Sequence, residues 1–186
     1  MDLDKLRAEM ADCECGHKHD FDLEGLYIGS GVINDVGAIL KKHDFPRRIL
    51  MVADGNSFRV TAGLYERLLG DGFTVELRVY DDMKVADMRE VEELEKLLAR
   101  ADGCLSVGTG SVNDICRLAS FRAGKQFAIV ATAPSMDGFA SDSAPITKDG
   151  FKTSHPCRQP RVIIADTKIL AESPNELKAA GFGDVM

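Results

Sequence analysis

Several stretches of the sequence carry residue types whose spacing could do chemistry. Val107-Gly108-Thr109-Gly110-Ser111-Val112-Asn113-Asp114 follows a short apolar run and opens a helical pattern. Glycines at such a junction let the backbone approach a ligand, and free amides at a helix N-terminus attract phosphate. The stretch is not G-x-G-x-x-G, because position 113 is Asn, and it lacks the lysine of a P-loop. On spacing alone, a tight turn without a ligand fits as well as a phosphate site. A second stretch, Ala131 to Ser141, also follows an apolar run and places Thr132, Ser135, Asp137 and Ser141 within about ten residues, either a polar loop or one wall of a site. Asp54 ends the run RILMVA, where a carboxylate could accept hydrogen bonds from a ribose or cap the segment Gly55-Asn56-Ser57. Cys13-Glu14-Cys15-Gly16-His17-Lys18-His19 packs four soft or borderline metal-ligand residues, Cys13, Cys15, His17 and His19, into a short span. Its Cys-x-Cys spacing is tighter than a zinc knuckle and no second knuckle exists, so the expectation is an exposed, mobile segment rather than a structural metal site.

The elements that must position these residues follow from periodicity. Short apolar runs at Leu26–Ile28, Arg48–Ala53, Cys104–Val107, Phe127–Ala131 and Arg161–Ala165 read as strands. RILMVA shows no polar alternation after its first residue, as in a strand buried on both faces. Phe73–Tyr80 alternates, as an edge strand does. Helical patterns are expected at Val32–Leu40, Phe58–Leu69, Met88–Ala101 and Val112–Ala123, with a last helix capped by Ser173 and opened by Pro174. Strands alternating with helices imply a parallel sheet with helices on both faces. The polar, proline-containing stretch 142–160 reads as a loop or hairpin inserted before the last strand. The sequence stops at Gly181-Phe182-Gly183-Asp184-Val185-Met186, where a glycine pair reads as following the helix.

Composition bounds the partners. Of 186 residues, 45% are hydrophobic and 28% charged, enough for a core of about one domain. Lys and Arg number 23 against 30 Asp and Glu, a net charge of −7, which argues against nucleic acid or an anionic membrane as the main partner. A small anion held by backbone amides remains compatible. Five widely spread cysteines, the absence of a leader pattern and the absence of a long apolar run imply free thiols in a cytoplasmic protein.

Taken together, GTGSVND, ATAPSMDGFASDSAPI and AAGFGDVM resemble the N-terminal half of the sn-glycerol-1-phosphate dehydrogenases. These are members of the superfamily of glycerol dehydrogenases, iron-type alcohol dehydrogenases and dehydroquinate synthase. The match runs from about Gly25 to Met186, departing at Thr109, where the family usually has Gly, and at Pro134, where it usually has Ala. The resemblance implies a Rossmann-like domain over 25–186 behind a Cys/His-bearing segment over 1–24, with the family's helical C-terminal domain absent. It implies that Gly110, Ser111, Val112, Asn113 and Asp114 hold the pyrophosphate of NAD or NADP, and that Thr132, Ser135 and Ser141 line the nicotinamide. Asp54 would meet the adenosine ribose, Asp137 the substrate, and Asp184 both substrate and a catalytic zinc or nickel ion. The family's other metal ligands are histidines of the C-terminal domain, and no histidine follows position 155 here. The implied reaction reduces dihydroxyacetone phosphate to sn-glycerol 1-phosphate with NAD(P)H, for phospholipid synthesis, in a homo-oligomeric full-length enzyme. This chain alone is expected to be inactive. Glycerol oxidation by a related dehydrogenase, and a dinucleotide-binding module without turnover, are the alternatives.

Overall fold

The computed structural model describes residues 3–11, 13–17, 19 and 21–186. Lys18 of the Cys/His segment falls outside them. The strands in chain order are β1 (Gly25–Gly29), β2 (Arg48–Asp54), β3 (Thr74–Tyr80), β4 (Gly103–Gly108), β5 (Gln126–Ala131), β6 (Ser143–Lys148), β7 (Phe151–Pro156) and β8 (Val162–Asp166). Six of them form one parallel sheet in the order β1-β8-β5-β4-β2-β3, and β6 with β7 forms an antiparallel hairpin beside it. The helices are α1 (Leu3–Ala11), α2 (Val36–Lys42), α3 (Gly55–Val60), α4 (Leu64–Gly70), α5 (Met88–Leu98), α6 (Gly110–Arg122), α7 (Thr167–Glu172) and α8 (Asn175–Val185).

The apolar run in β2 is buried on both sides because successive residues feed two separate cores. Leu50 and Val52 pack with Cys104, Ile129 and Ile163 under α5 and α6. Ile49, Met51 and Ala53 pack with Leu105, Val107 and Ile164 under α2 and α4. The parallel sheet covered by helices on both faces is therefore the arrangement the alternation implies. β3 lies at one edge, half-buried along most of its length, as its alternation requires.

Four local expectations are corrected. The Val32–Leu40 pattern splits into a 3-10 turn, Val32–Asp35, followed by α2. The single helix expected over Phe58–Leu69 is two. Asp54 and Ser57 form a reciprocal capping box that starts α3 earlier, and the Thr61 hydroxyl donates back to the Ser57 carbonyl where the chain breaks before α4. Ser173 does not cap α8. Its hydroxyl donates to Leu170 O at 2.7 Å and closes α7, a helix that Asp166 starts by accepting from Lys168 N. The glycine pair at 181 and 183 does not follow the last helix but lies inside α8, which continues to Val185.

The sheet order sets where a ligand can sit. From β2 the chain proceeds to β3 on one side, and from β4 it proceeds to β5 on the other. Between the carboxyl ends of β2 and β4 the connections diverge, and open α/β sheets bind ligands in that crevice.

Candidate functional site

The turn Gly108-Thr109-Gly110 stands at the carboxyl end of β4, beside the switch point. Gly108 pairs with Ala131 across the sheet, and Thr132 N donates to Gly108 O at 3.2 Å. The two stretches singled out in the sequence therefore run side by side. Thr109 and Ser135 join their hydroxyls at 2.5 Å. Thr109, where the family pattern usually has Gly, thus holds one of the residues the resemblance assigns to the nicotinamide side.

Gly110 adopts φ +41° and opens α6, and a Cβ there would meet nothing within 4 Å. The space in front of the helix N-terminus is open to a ligand. Gly110 and Ser111 line a cavity of about 400 Å³ together with Asp114, Asp137, Ser141, Lys152 and Asp184. Of the five residues assigned to the pyrophosphate, these two present their backbone at the half-exposed surface. Asn113 is fully buried and its side-chain oxygen accepts from Ser106 Oγ, so it fastens α6 to β4. Val112 is buried as well. Burial pushes the Asp114 carboxyl up to about 6, against the opposing pull of Arg117 and Lys152.

The remaining assigned residues are distributed as follows. Thr132 is buried beneath the loop. Ser141 accepts from Ser143 N at 3.0 Å and lies within hydrogen-bond reach of the Ser143 carbonyl and hydroxyl, which shapes the entry into β6. Asp54 is the N-cap of α3: its Oδ1 accepts from Asn56 N and Ser57 N at 2.8 and 2.7 Å. It stands at the end of β2, across the switch point from Gly108, outside the 400 Å³ cavity. Asp137 and Asp184 meet: Asp184 Oδ2 accepts from Asp137 N at 3.4 Å. Gly181 makes this possible. A Cβ at that position would overlap the carbonyl oxygen of Pro134, so α8 crosses the loop backbone to backbone and delivers Asp184 one turn later.

Sequence reasoning missed Arg117. It is 1% exposed, and its guanidinium donates to Gly138 O, Phe139 O and Ser143 O at 2.8 to 3.0 Å while contacting Asp114 at 3.3 Å. One side chain on α6 therefore holds the loop that carries Asp137 and the first strand of the hairpin. The signal available was an arginine among Ile115, Cys116, Leu118 and Ala119, in a helix buried on every side from Val112 to Ser120. Lys152, on the hairpin, supplies an exposed cation at the cavity rim.

None of the four histidines reaches this cavity. His43 packs edge-on against Tyr27 and burial lowers its pKa, and His155 lies within hydrogen-bond distance of Thr153 on the hairpin. His17 and His19 belong to the segment ahead of β1. No helix among the described residues is long and apolar enough to cross a membrane.

The sequence is similar to those of proteins named as dehydrogenases. The chain is 34% identical over 191 aligned residues to the protein named glycerol-1-phosphate dehydrogenase (NAD(P)+) of Halalkalibacterium halodurans, covering 99% of this chain and 48% of that one. It is 33% identical over 172 residues to the protein of the same name in Pyrococcus furiosus, covering 91% and 49%. The chain thus spans about half the length of the curated relatives it matches. The fold matches that of glycerol dehydrogenase from Schizosaccharomyces pombe with a TM-score of 0.78 at 20% identity, over 91% of this chain and 44% of that one. It also matches an NADH-dependent butanol dehydrogenase from Thermotoga maritima, with a TM-score of 0.76 at 20% identity, over 90% and 48%. The profile described as iron-containing alcohol dehydrogenase covers residues 27–174, and the chain belongs to that family.

Proposed function

We propose that this chain is the nucleotide-binding part of an NAD(P)-dependent dehydrogenase that reduces dihydroxyacetone phosphate to sn-glycerol 1-phosphate. Hydride passes from NAD(P)H to the C2 carbonyl carbon and a proton passes to its oxygen. The observation that carries this reading is the meeting of the 108–111 turn, the 132–141 loop and Asp184 around one cavity at the carboxyl edge of a parallel sheet. The named relatives share that half of their length with this chain.

The nucleotide fits what is present. Open space in front of Gly110, a helix N-terminus and an adjacent switch point suit a pyrophosphate. In this reading Asp137 and Asp184 face the substrate hydroxyls, and Lys152 supplies the charge that an anionic substrate needs in a protein of net charge −7. The metal does not fit in the same way. A catalytic zinc ordinarily takes three protein ligands; no histidine lines the cavity, and among the described residues its carboxylates, Asp114, Asp137 and Asp184, are not grouped closely enough to share an ion. The described residues therefore do not form the zinc or nickel centre that the resemblance implies, and no chemical step is derived through it.

The test is titration of the protein with NADH, read by nicotinamide fluorescence, alongside Gly110→Ala. The added methyl meets no atom within 4 Å but strains the turn, because Gly110 takes φ +41°. Weak binding by the wild type and its loss in the variant are expected. Equal binding by both would remove the turn from the site. Turnover of dihydroxyacetone phosphate against glycerol by the whole dehydrogenase, of which this chain is the nucleotide-binding part, then separates the phosphate substrate from the plain alcohol.

A further inference from the structure

The structure brings together what the Cys/His spacing left apart. The ligand atoms of Cys13, Cys15 and His19 all lie within 4.8 Å of one another. Among the described residues, no other group of three or more His, Cys, Asp or Glu side chains is placed to share an ion. Cys15 Sγ is 2.9 Å from His19 Nε2, and His17 N points at the same sulfur at 3.4 Å. The turn closes because Gly16 takes φ +76°, which folds the segment back on itself. Tetrahedral zinc, with Zn–S of about 2.3 Å and Zn–N of about 2.0 Å, sets its ligand atoms roughly 3.5 to 3.8 Å apart. To accept an ion the Cys15–His19 contact spreads by roughly half an ångström, and the other separations, none above 4.8 Å, close by at most about an ångström. Two sulfurs and one imidazole are a soft donor set that selects zinc over magnesium or calcium.

We infer that Cys13, Cys15 and His19 form a zinc-binding clip, separate from the nucleotide cavity, that fastens the N-terminal helix to the domain. The two thiols lose their protons as the ion binds, so one Zn²⁺ enters and two protons leave with no change of oxidation state. The fourth position falls to water or to His17, exposed on the same turn.

The position of the clip gives it a task. It joins α1 to Phe21 and Leu23, the residues against which α1 docks. Leu3 of α1 enters the core, and Arg7 lies 4.6 Å over the Phe21 ring and bonds the Leu23 carbonyl. Leu6, Met10, His19 and Phe21 line one apolar hollow that also reaches Met136 and Asp137 of the site loop. A metal at the trio shortens the tether of α1 and holds that wall in place.

The experiment uses the full chain, purified under reducing conditions, loaded with Zn²⁺ and desalted, with metal measured by mass spectrometry and with Co²⁺ as a spectroscopic probe. Stoichiometric zinc, a thiolate-to-cobalt charge-transfer band, and loss of both in Cys13→Ser and Cys15→Ser are expected. Asp184→Asn should keep both, which separates this site from any metal at the nucleotide cavity. Hydrogen exchange across α1 should slow when zinc is added to the wild type and not to Cys15→Ser. A wild type that retains no zinc, a cobalt complex without the thiolate band, or zinc retained in full by both cysteine variants would each overturn the clip. The cobalt spectrum of the wild type decides the matter even if a variant folds poorly.

Discussion

Asp114 shows how one residue ties folding to the site. It is 9% exposed, and burial raises its carboxyl from the ordinary 3.8 to about 6. Between those values the native state holds a proton that the unfolded chain has lost, so the contribution of Asp114 to stability falls as pH rises through the window. Two units correspond to about 3 kcal/mol. Other carboxylates oppose this trend. Asp87 and Asp102 have lowered pKa values, Asp87 through hydrogen bonds from the Arg89 backbone and side chain and Asp102 through its hydrogen bond from Arg48. The measurable quantity is therefore a difference. Urea unfolding of wild type and Asp114→Asn should give a stability difference that is flat below about pH 4 and moves against the wild type by up to ~3 kcal/mol above about pH 6. A difference independent of pH from 4 to 7 would mean that Asp114 ionises as a surface carboxylate does.

Arg117 acts at the scale of elements, since it binds α6 to the 138–143 segment through three carbonyls, while its contact with the Asp114 carboxylate stays within α6. Removing one partner of a buried ion pair costs about 3 to 5 kcal/mol. Arg117→Met should lose stability in that range at neutral pH, and less near pH 5, where Asp114 is protonated and needs no counter-charge. Hydrogen exchange should quicken in the loop and hairpin while the β2 and β4 amides stay protected. Equal quickening throughout would make Arg117 a general core residue instead of the anchor of that loop. Gly181→Ala is a second element-level test. The overlap with Pro134 O requires α8 to shift, so the variant should release Asp184 from Asp137 and lower the melting temperature. The strands of the sheet were legible in the sequence because doubly buried strands read as unbroken apolar runs, as in β2. The division of 58–69 and the presence of α7 were not, because both depend on side-chain-to-backbone bonds from Thr61, Asp54 and Asp166 that hydrophobic periodicity does not register. The turn and loop were found from their glycines and hydroxyls. Arg117 was not, because its partners are carbonyls of residues 21 to 26 positions away, which only the fold brings near.

For the molecule as a whole, a dinucleotide would bridge two strand ends across the switch point, the pyrophosphate at Gly110 and a ribose toward Asp54. A ligand that binds only the folded chain stabilises it by about 2.7 kcal/mol at one hundred times its dissociation constant. For a domain of this size that is roughly 5 to 10 °C in melting temperature. NADH near saturation should produce a shift of that order, and Gly110→Ala should abolish it. NADPH should shift the wild type less, because its 2′-phosphate would approach the Asp54 carboxylate. Asp54→Ala confounds this test, since losing the cap of α3 costs about 1 kcal/mol by itself. Asp54→Asn keeps an oxygen for Asn56 N and Ser57 N and removes only the charge. With each protein referred to its own ligand-free melting temperature, Asp54→Asn should narrow the gap between NADH and NADPH and leave the NADH shift nearly intact. A gap of unchanged size would leave Asp54 as the cap of α3 and nothing more, and the ribose would have to be sought elsewhere along the carboxyl edge of β2 and β3.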